Sequence, residues 1–257
     1  MRKLKSIIIW FQNEIIIKFF GIVIYIFFIL SVVAPIYSFL TFQPKRAQEF
    51  WSRLAVKTLR LQFRYLPNSK KVQTNKRTML LFNHRMQGDF FIHDVVSQYS
   101  ANFLARWMVA VAFPMLAIFQ QLFTQSVWFF RRGGNDLNNF FKWIDNKFDK
   151  ATRPNLLVYP EGHRMHESDK VGKMKNGMLQ YAYDRKIDTQ IIIVLGIEKA
   201  FNEKKFHVSL GPTQLSMKVD EIIKPDQFAT FELFVEHIQA MFKKNFEETY
   251  DNHYKQL

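Results

Sequence analysis

Two strings carry the groups that chemistry needs: Asn83-His84-Arg85-Met86-Gln87-Gly88-Asp89 and Tyr159-Pro160-Glu161-Gly162-His163-Arg164. The first sets an imidazole five residues ahead of a carboxylate, the minimum for a general base whose tautomer and tilt are held by a partner. The second sets a carboxylate and a guanidinium around a glycine. A His-x-x-x-x-Asp spacing arises often by chance, so its context decides. Residues 77–82 read as a short buried strand and residues 155–159 as another, so each string follows the carboxyl end of a strand. Ligand sites in open α/β sheets lie at such ends, which brings both motifs toward one crevice.

The chain has no Cys and no Gly-x-Ser-x-Gly elbow, so an acyl-enzyme intermediate has no evident nucleophile. A disulfide framework and a Cys-zinc site are excluded as well. His163 and His166, with Glu167 and Asp169 nearby, are too weak a constellation for a catalytic zinc site, and no metal is expected.

Asn83-His84 with Asp89, then Phe129-Phe130-Arg131-Arg132, then Pro160-Glu161-Gly162-x-Arg164, resembles in order and spacing the blocks of glycerolipid acyltransferases of the lysophosphatidate (1-acylglycerol-3-phosphate) acyltransferase type. The resemblance covers residues 78–197. A fourth family block, a valine–proline pair in a late strand, is represented by residues 191–196 without the proline. The family also usually has Thr where His163 stands and a lysine-rich stretch near Arg106. The resemblance implies a membrane-bound enzyme that moves a fatty acyl group from acyl-CoA to the free hydroxyl of a lysophosphatidate, giving phosphatidate. Acyl-CoA is then a co-substrate and no cofactor is required. By the same resemblance Arg132 and Arg164 are ligands of the acceptor phosphate, Glu161 and Gly162 are acceptor-site residues, and Lys173, Lys175 and Gly177 match a basic-glycine segment after the third block. Other acceptors (a lysophospholipid, lysocardiolipin or glycerol phosphate) and a non-catalytic lipid-binding protein are the alternatives.

An alcohol attacks a thioester poorly until its proton is being removed, and an imidazole, with an ordinary pKa of about 6.5, suits that step. His84 is the expected base, with Asp89 holding its other nitrogen and stabilising the imidazolium as it forms. A thiolate leaves readily, so the developing oxyanion needs donors more than protons; backbone N–H groups near Gly88 and the cation Arg106 are the candidates. A guanidinium meets phosphate oxygens in bidentate fashion, which suits Arg132 and Arg164 to an anionic acceptor.

The elements that must position these groups form an α/β domain: a mostly parallel sheet flanked by helices, with strands expected at 77–82, 127–130, 155–159 and 191–195, and a weaker one at 205–210. Helices are expected at 90–99, 136–148 and 230–250. Residues 103–123 are a largely apolar stretch broken at Pro114, with room for lipid contact. At 257 residues and 48% apolar, the chain suits one catalytic domain, taken as residues 76–257, behind a membrane anchor, residues 1–42, and a basic connector, residues 43–75.

Residues 19–42 carry no charge, and as a helix they are long enough to cross a bilayer core, or to dip into it as a re-entrant hairpin. Much of the net charge of +14 follows at once: residues 43–79 hold ten Lys or Arg against the single Glu49. Arg53, Lys57, Arg60 and Arg64 fall at helical spacing, opposite Trp51, Leu54, Ala55 and Leu59. A basic amphipathic helix beside an anchor predicts contact with an anionic lipid surface and a cytosolic catalytic domain, with the endoplasmic reticulum as the expected membrane. The cations do not imply nucleic-acid binding, since no helix-turn-helix, zinc finger or aromatic RNA motif accompanies them.

Overall fold

The computed structural model of the chain describes residue 22 and residues 33–112, 114–131, 136–205, 207–209 and 211–255. Among these residues the strands are β1 (Leu61–Tyr65), β2 (Thr78–Phe82), β3 (Ala101–Arg106), β4 (Val127–Phe130), β5 (Asn155–Val158), β6 (Asp188–Leu195), β7 (Phe201–Asn202), β8 (His207–Val208) and β9 (Thr213–Ile223). The helices are α1 (Val33–Thr41), α2 (Ala47–Thr58), α3 (Asp89–Val96), α4 (Trp107–Ala112), α5 (Pro114–Phe119), α6 (Leu137–Lys150), α7 (Gly177–Asp184), α8 (Ile197–Ala200) and α9 (Phe231–Tyr250).

Seven strands make one sheet in the order β1-β9-β6-β2-β5-β3-β4, parallel throughout except where β9 runs antiparallel to β6. β7 and β8 pair as a separate hairpin. The central strand β2 is buried along its whole length, which is why it reads as an unbroken apolar run rather than an alternating one. Its pleat still sorts its side chains: Met79 and Leu81 join the layer under α6, α7 and α9, while Leu80 and Phe82 join the layer under α3 and α8. Phe141 and Ile144 of α6, Leu179 of α7 and Ile238 and Phe242 of α9 fill the first layer; Ile92 and Val96 of α3 and Ile197 of α8 fill the second.

α3, which carries Asp89, is fastened to α2 by one buried carboxylate. Asp94 accepts hydrogen bonds from Gln48 Nε2 (3.1 Å), Ser52 Oγ (2.8 Å) and Arg153 Nη1 (2.8 Å). Burial pushes the Asp94 carboxyl up, against the pull of Arg153.

The mostly parallel, helix-flanked sheet agrees with the sequence reading, but three local expectations change. The basic helix stops at Thr58, and Arg60 has a left-handed φ of 50°. Arg64 lies on β1, where its Nη2 reaches the Asn252 carbonyl (2.7 Å), so the helical grouping of Arg53, Lys57, Arg60 and Arg64 fails. Residues 61–65, within the expected connector, form a strand of the seven-stranded sheet. The apolar stretch at 103–123 begins inside β3, and the segment at 205–210 contributes only the short β8. Most of the expected anchor lies outside the described residues; among the described residues no helix is long and apolar enough to cross a membrane.

Candidate active site

The first motif begins where β2 ends. Asn83 extends the strand by one residue with its side chain: Nδ2 donates to the Val194 carbonyl (2.9 Å), and Oδ1 accepts from the Val194 N–H (2.8 Å). The backbone is then free to turn, and His84 emerges at the carboxyl edge of the sheet.

His84 Nδ1 stands 2.9 Å from Asp89 Oδ2. Asp89 is the first residue of α3, where the helix dipole favours an anion, and its Oδ2 also accepts from the N–H groups of Arg85 (2.5 Å) and Met86 (3.0 Å). Burial works to raise the Asp89 carboxyl, but the His84 hydrogen bond and the backbone donor outweigh it and hold the group below the ordinary aspartate range. An ionised carboxylate only accepts, so Nδ1 carries the proton and Nε2 is left as the basic nitrogen. His84 keeps 22% side-chain exposure against 3% for Asp89, so the imidazole is accessible and its partner is not.

The second motif closes directly on the first. Glu161 is buried; its Oε2 accepts from the His84 N–H (3.2 Å) and its Oε1 from the Gly172 N–H (2.7 Å). The Met165 N–H donates to the His84 carbonyl (2.7 Å). His84 is thus gripped at both its backbone N–H and its C=O by the loop that follows β5. Burial raises the Glu161 carboxyl, against the pull of these two N–H donors.

Gly162 adopts a φ of +69°, open to glycine at little cost, and its carbonyl accepts from Arg106 Nη2 (3.1 Å). Arg106 is therefore engaged with the second motif, while its exposure leaves it reachable from solvent. Arg164 is a third exposed and stands 3.6 Å from Glu203, whose other oxygen accepts from the Gln87 N–H (3.3 Å). Arg132 lies outside the described residues; Arg131 beside it places its guanidinium 5.3 Å from the Trp107 ring centre. His163 is held within its own loop by a contact between Nδ1 and the Glu161 carbonyl (2.9 Å). Lys175 closes the loop through its backbone N–H to the Pro160 carbonyl (2.7 Å).

The structure therefore brings His84, Asp89, Glu161, Gly162 and Arg106 into direct contact, with Arg164 adjoining through Glu203 and Met165. Three groups at the site had no role assigned from sequence. Tyr159 lays its ring on the His84 imidazole, 4.0 Å between centres and 14° from parallel. His93 meets the Tyr159 hydroxyl through Nδ1 (3.1 Å), and its place one helical turn after Asp89 is a signal the sequence offered. Glu203 comes from the β7–β8 connection and left no such signal. A cavity of about 500 Å³ opens on the neighbouring flank between Arg85, Glu198, Lys199 and Tyr254, and His84 and Asp89 do not line it. Arg85 Nε and Glu198 form a buried ion pair there at 3.4 Å.

Fold and site together define an α/β protein that presents a carboxylate-held histidine at the carboxyl edge of a mostly parallel sheet. Among solved structures the chain is similar to the crystal structure of the 1-acyl-sn-glycerophosphate (LPA) acyltransferase PlsC from Thermotoga maritima, with a TM-score of 0.65 over 96% of this chain and 97% of that one. The identity is 16%, so the likeness is one of fold. No protein-family model matches the chain, and neither does any curated protein sequence.

Proposed function

We propose that the protein is an acyltransferase that moves a fatty acyl group from acyl-CoA to the free hydroxyl of a lysophosphatidate. The observation that carries this reading is the His84–Asp89 pair: an accessible imidazole whose Nδ1 proton is fixed on a buried carboxylate. The similarity in fold to an LPA acyltransferase supports the same reaction class.

In this mechanism Nε2 of His84 takes the acceptor hydroxyl proton as the oxygen attacks the thioester carbonyl. A C–O bond forms, and the carbonyl π electrons move to oxygen. Asp89 stabilises the imidazolium across the 2.9 Å contact without taking its proton. Collapse of the tetrahedral intermediate breaks the C–S bond and expels the thiolate, which recovers the proton from His84. The ester and free CoA thiol are the products, and no covalent enzyme intermediate is needed.

Arg164, partly exposed and only distantly paired with Glu203, is proposed to receive the acceptor phosphate, with Arg132 as a second phosphate ligand on the resemblance of its motif. The enzyme works on an anionic membrane surface, proposed as the cytosolic face of the endoplasmic reticulum, with residues 1–42 as its anchor and residues 76–257 as the catalytic domain. Exposed apolar side chains support the surface contact: Phe39, Leu40 and Phe42 at the end of α1, and Ile118 and Leu122 beside Phe119. Tyr37 and Phe119 pack together over Ala47, so these two groups flank one junction.

The test is a panel of lyso acceptors given to the purified protein with one acyl-CoA. The proposal expects kcat/KM to be highest for lysophosphatidate; preference for a zwitterionic or uncharged acceptor contradicts the substrate assignment, and no transfer to any acceptor contradicts the reaction.

A further inference from the structure

The His84 imidazole is held at its edge by Asp89, but an edge contact alone lets the ring rock about the Nδ1–Oδ2 line. A second contact removes that freedom. Tyr159 lies face to face with His84, 4.0 Å between centres and 14° from parallel, and its hydroxyl is 3.1 Å from Nδ1 of His93. His93 is buried and packs on Phe82, the last residue of β2, at 4.3 Å between ring centres. Asp89 and His93 are one turn apart on α3, so one rigid helix supplies both supports: Asp89 to the imidazole edge, and His93, through Tyr159, to its face.

We infer that Tyr159 and His93 are positioning residues for His84, forming an aromatic plate that fixes the plane of the imidazole and leaves Nε2 with a single direction of approach. The chemistry of the pair suits that task. Burial pushes His93 down to about 4 and Tyr159 well above the ordinary phenol range, so both are neutral at working pH and the plate adds no charge of its own beside the imidazolium. The ring face of Tyr159 also favours a positive charge stacked on it, which aids His84 in the protonated half of the cycle.

The kinetic part of the test rests on the acyl-transfer reading; the spectroscopic part does not. Tyr159→Phe keeps the plate and loses its hydroxyl anchor, whereas Tyr159→Leu loses the plate. The inference expects kcat to fall about fivefold for Tyr159→Phe and about a hundredfold for Tyr159→Leu, with acceptor and donor KM within twofold of wild type. If His93 acts through the hydroxyl, His93→Leu lowers kcat in the wild-type background and adds nothing in the Tyr159→Phe background.

Without turnover, the proton NMR resonance of the His84 Nδ1–H bonded to Asp89 reads the same geometry. It should be sharp in wild type and Tyr159→Phe and broadened away in folded Tyr159→Leu, each variant being checked for folding by thermal unfolding. Additive losses in the double variant, or a sharp resonance and unchanged kcat in folded Tyr159→Leu, overturn the inference. A broadened resonance in a protein that transfers no acyl group upholds it while contradicting the proposed reaction.

Discussion

The N–H of His84 donates to Oε2 of Glu161, and this 3.2 Å contact joins the two strand exits that carry the sequence motifs. Because the other Glu161 oxygen accepts from Gly172, the carboxylate acts as a clasp on the loop that carries His84. Glu161→Gln keeps one acceptor but turns an NH2 group toward a backbone N–H, leaving a buried donor unmet. Urea unfolding should show a loss of about 1–3 kcal/mol. In kinetics kcat should fall while the KM for lysophosphatidate stays within twofold, whereas a raised KM with unchanged kcat would make Glu161 an acceptor contact instead.

Arg164 bears the opposite signature. Its pairing with Glu203 at 3.6 Å is loose, and its partial exposure leaves the guanidinium free to meet an incoming phosphate. Arg164→Ala should raise the acceptor KM at least tenfold and leave the acyl-CoA KM unchanged. Arg164→Lys should recover only part of that loss, since an ammonium lacks the bidentate fork.

Acid should weaken the fold through its buried histidines. His93 and His253, both pushed down to about 4 by burial, are neutral when folded but protonate near pH 6.5 when unfolded. The unfolded chain therefore binds more protons between those limits, and stability falls as pH drops from about 6.5 toward 4. The upward-shifted carboxyls Asp94, Glu161 and Glu198 act in the opposite sense, so the difference between wild type and a variant is the clean quantity. His93→Leu should flatten the pH dependence of urea-unfolding free energy by about 1.4 kcal/mol per pH unit, one proton's worth. An unchanged slope would mean that His93 titrates alike in both states.

Gly162 tests the turn itself. At a φ of +69° an alanine is strained, and its Cβ would sit 3.2 Å from the Lys175 side chain, which can move aside. Gly162→Ala should cost about 1–2 kcal/mol in thermal or urea unfolding. A neutral substitution would show that the loop relaxes to another conformation.

Much of this was legible from sequence because its signals were local. The β2 and β5 runs were short, apolar and bounded, and the motifs began where they stopped. The β1 and β9 strands were legible but masked. Leu215, Met217 and Val219 alternate with Gln214, Ser216 and Lys218, a period of two, while the cations near β1 drew its residues into a helical pattern. At the site, the types and spacing of His84, Asp89, Glu161 and Arg164 were readable, but the two backbone N–H groups that the Glu161 carboxylate accepts, from His84 and Gly172, were not. The Tyr159 plate and Glu203 were hidden for a further reason, since each depends on a contact between segments far apart along the chain.

The most direct test is acyl transfer by Asp89→Asn. An asparagine oxygen in the place of Oδ2 can still accept from the Arg85 and Met86 N–H groups and from His84 Nδ1, so the loop should stay in place, but a neutral amide no longer stabilises the imidazolium. With acyl-CoA and lysophosphatidate, the account predicts a drop in kcat of about 10²-fold or more from the lost stabilisation of the imidazolium, with thermal stability near wild type. A folded Asp89→Asn protein that turns over at the wild-type rate would contradict the assignment of the His84–Asp89 pair as the catalytic base.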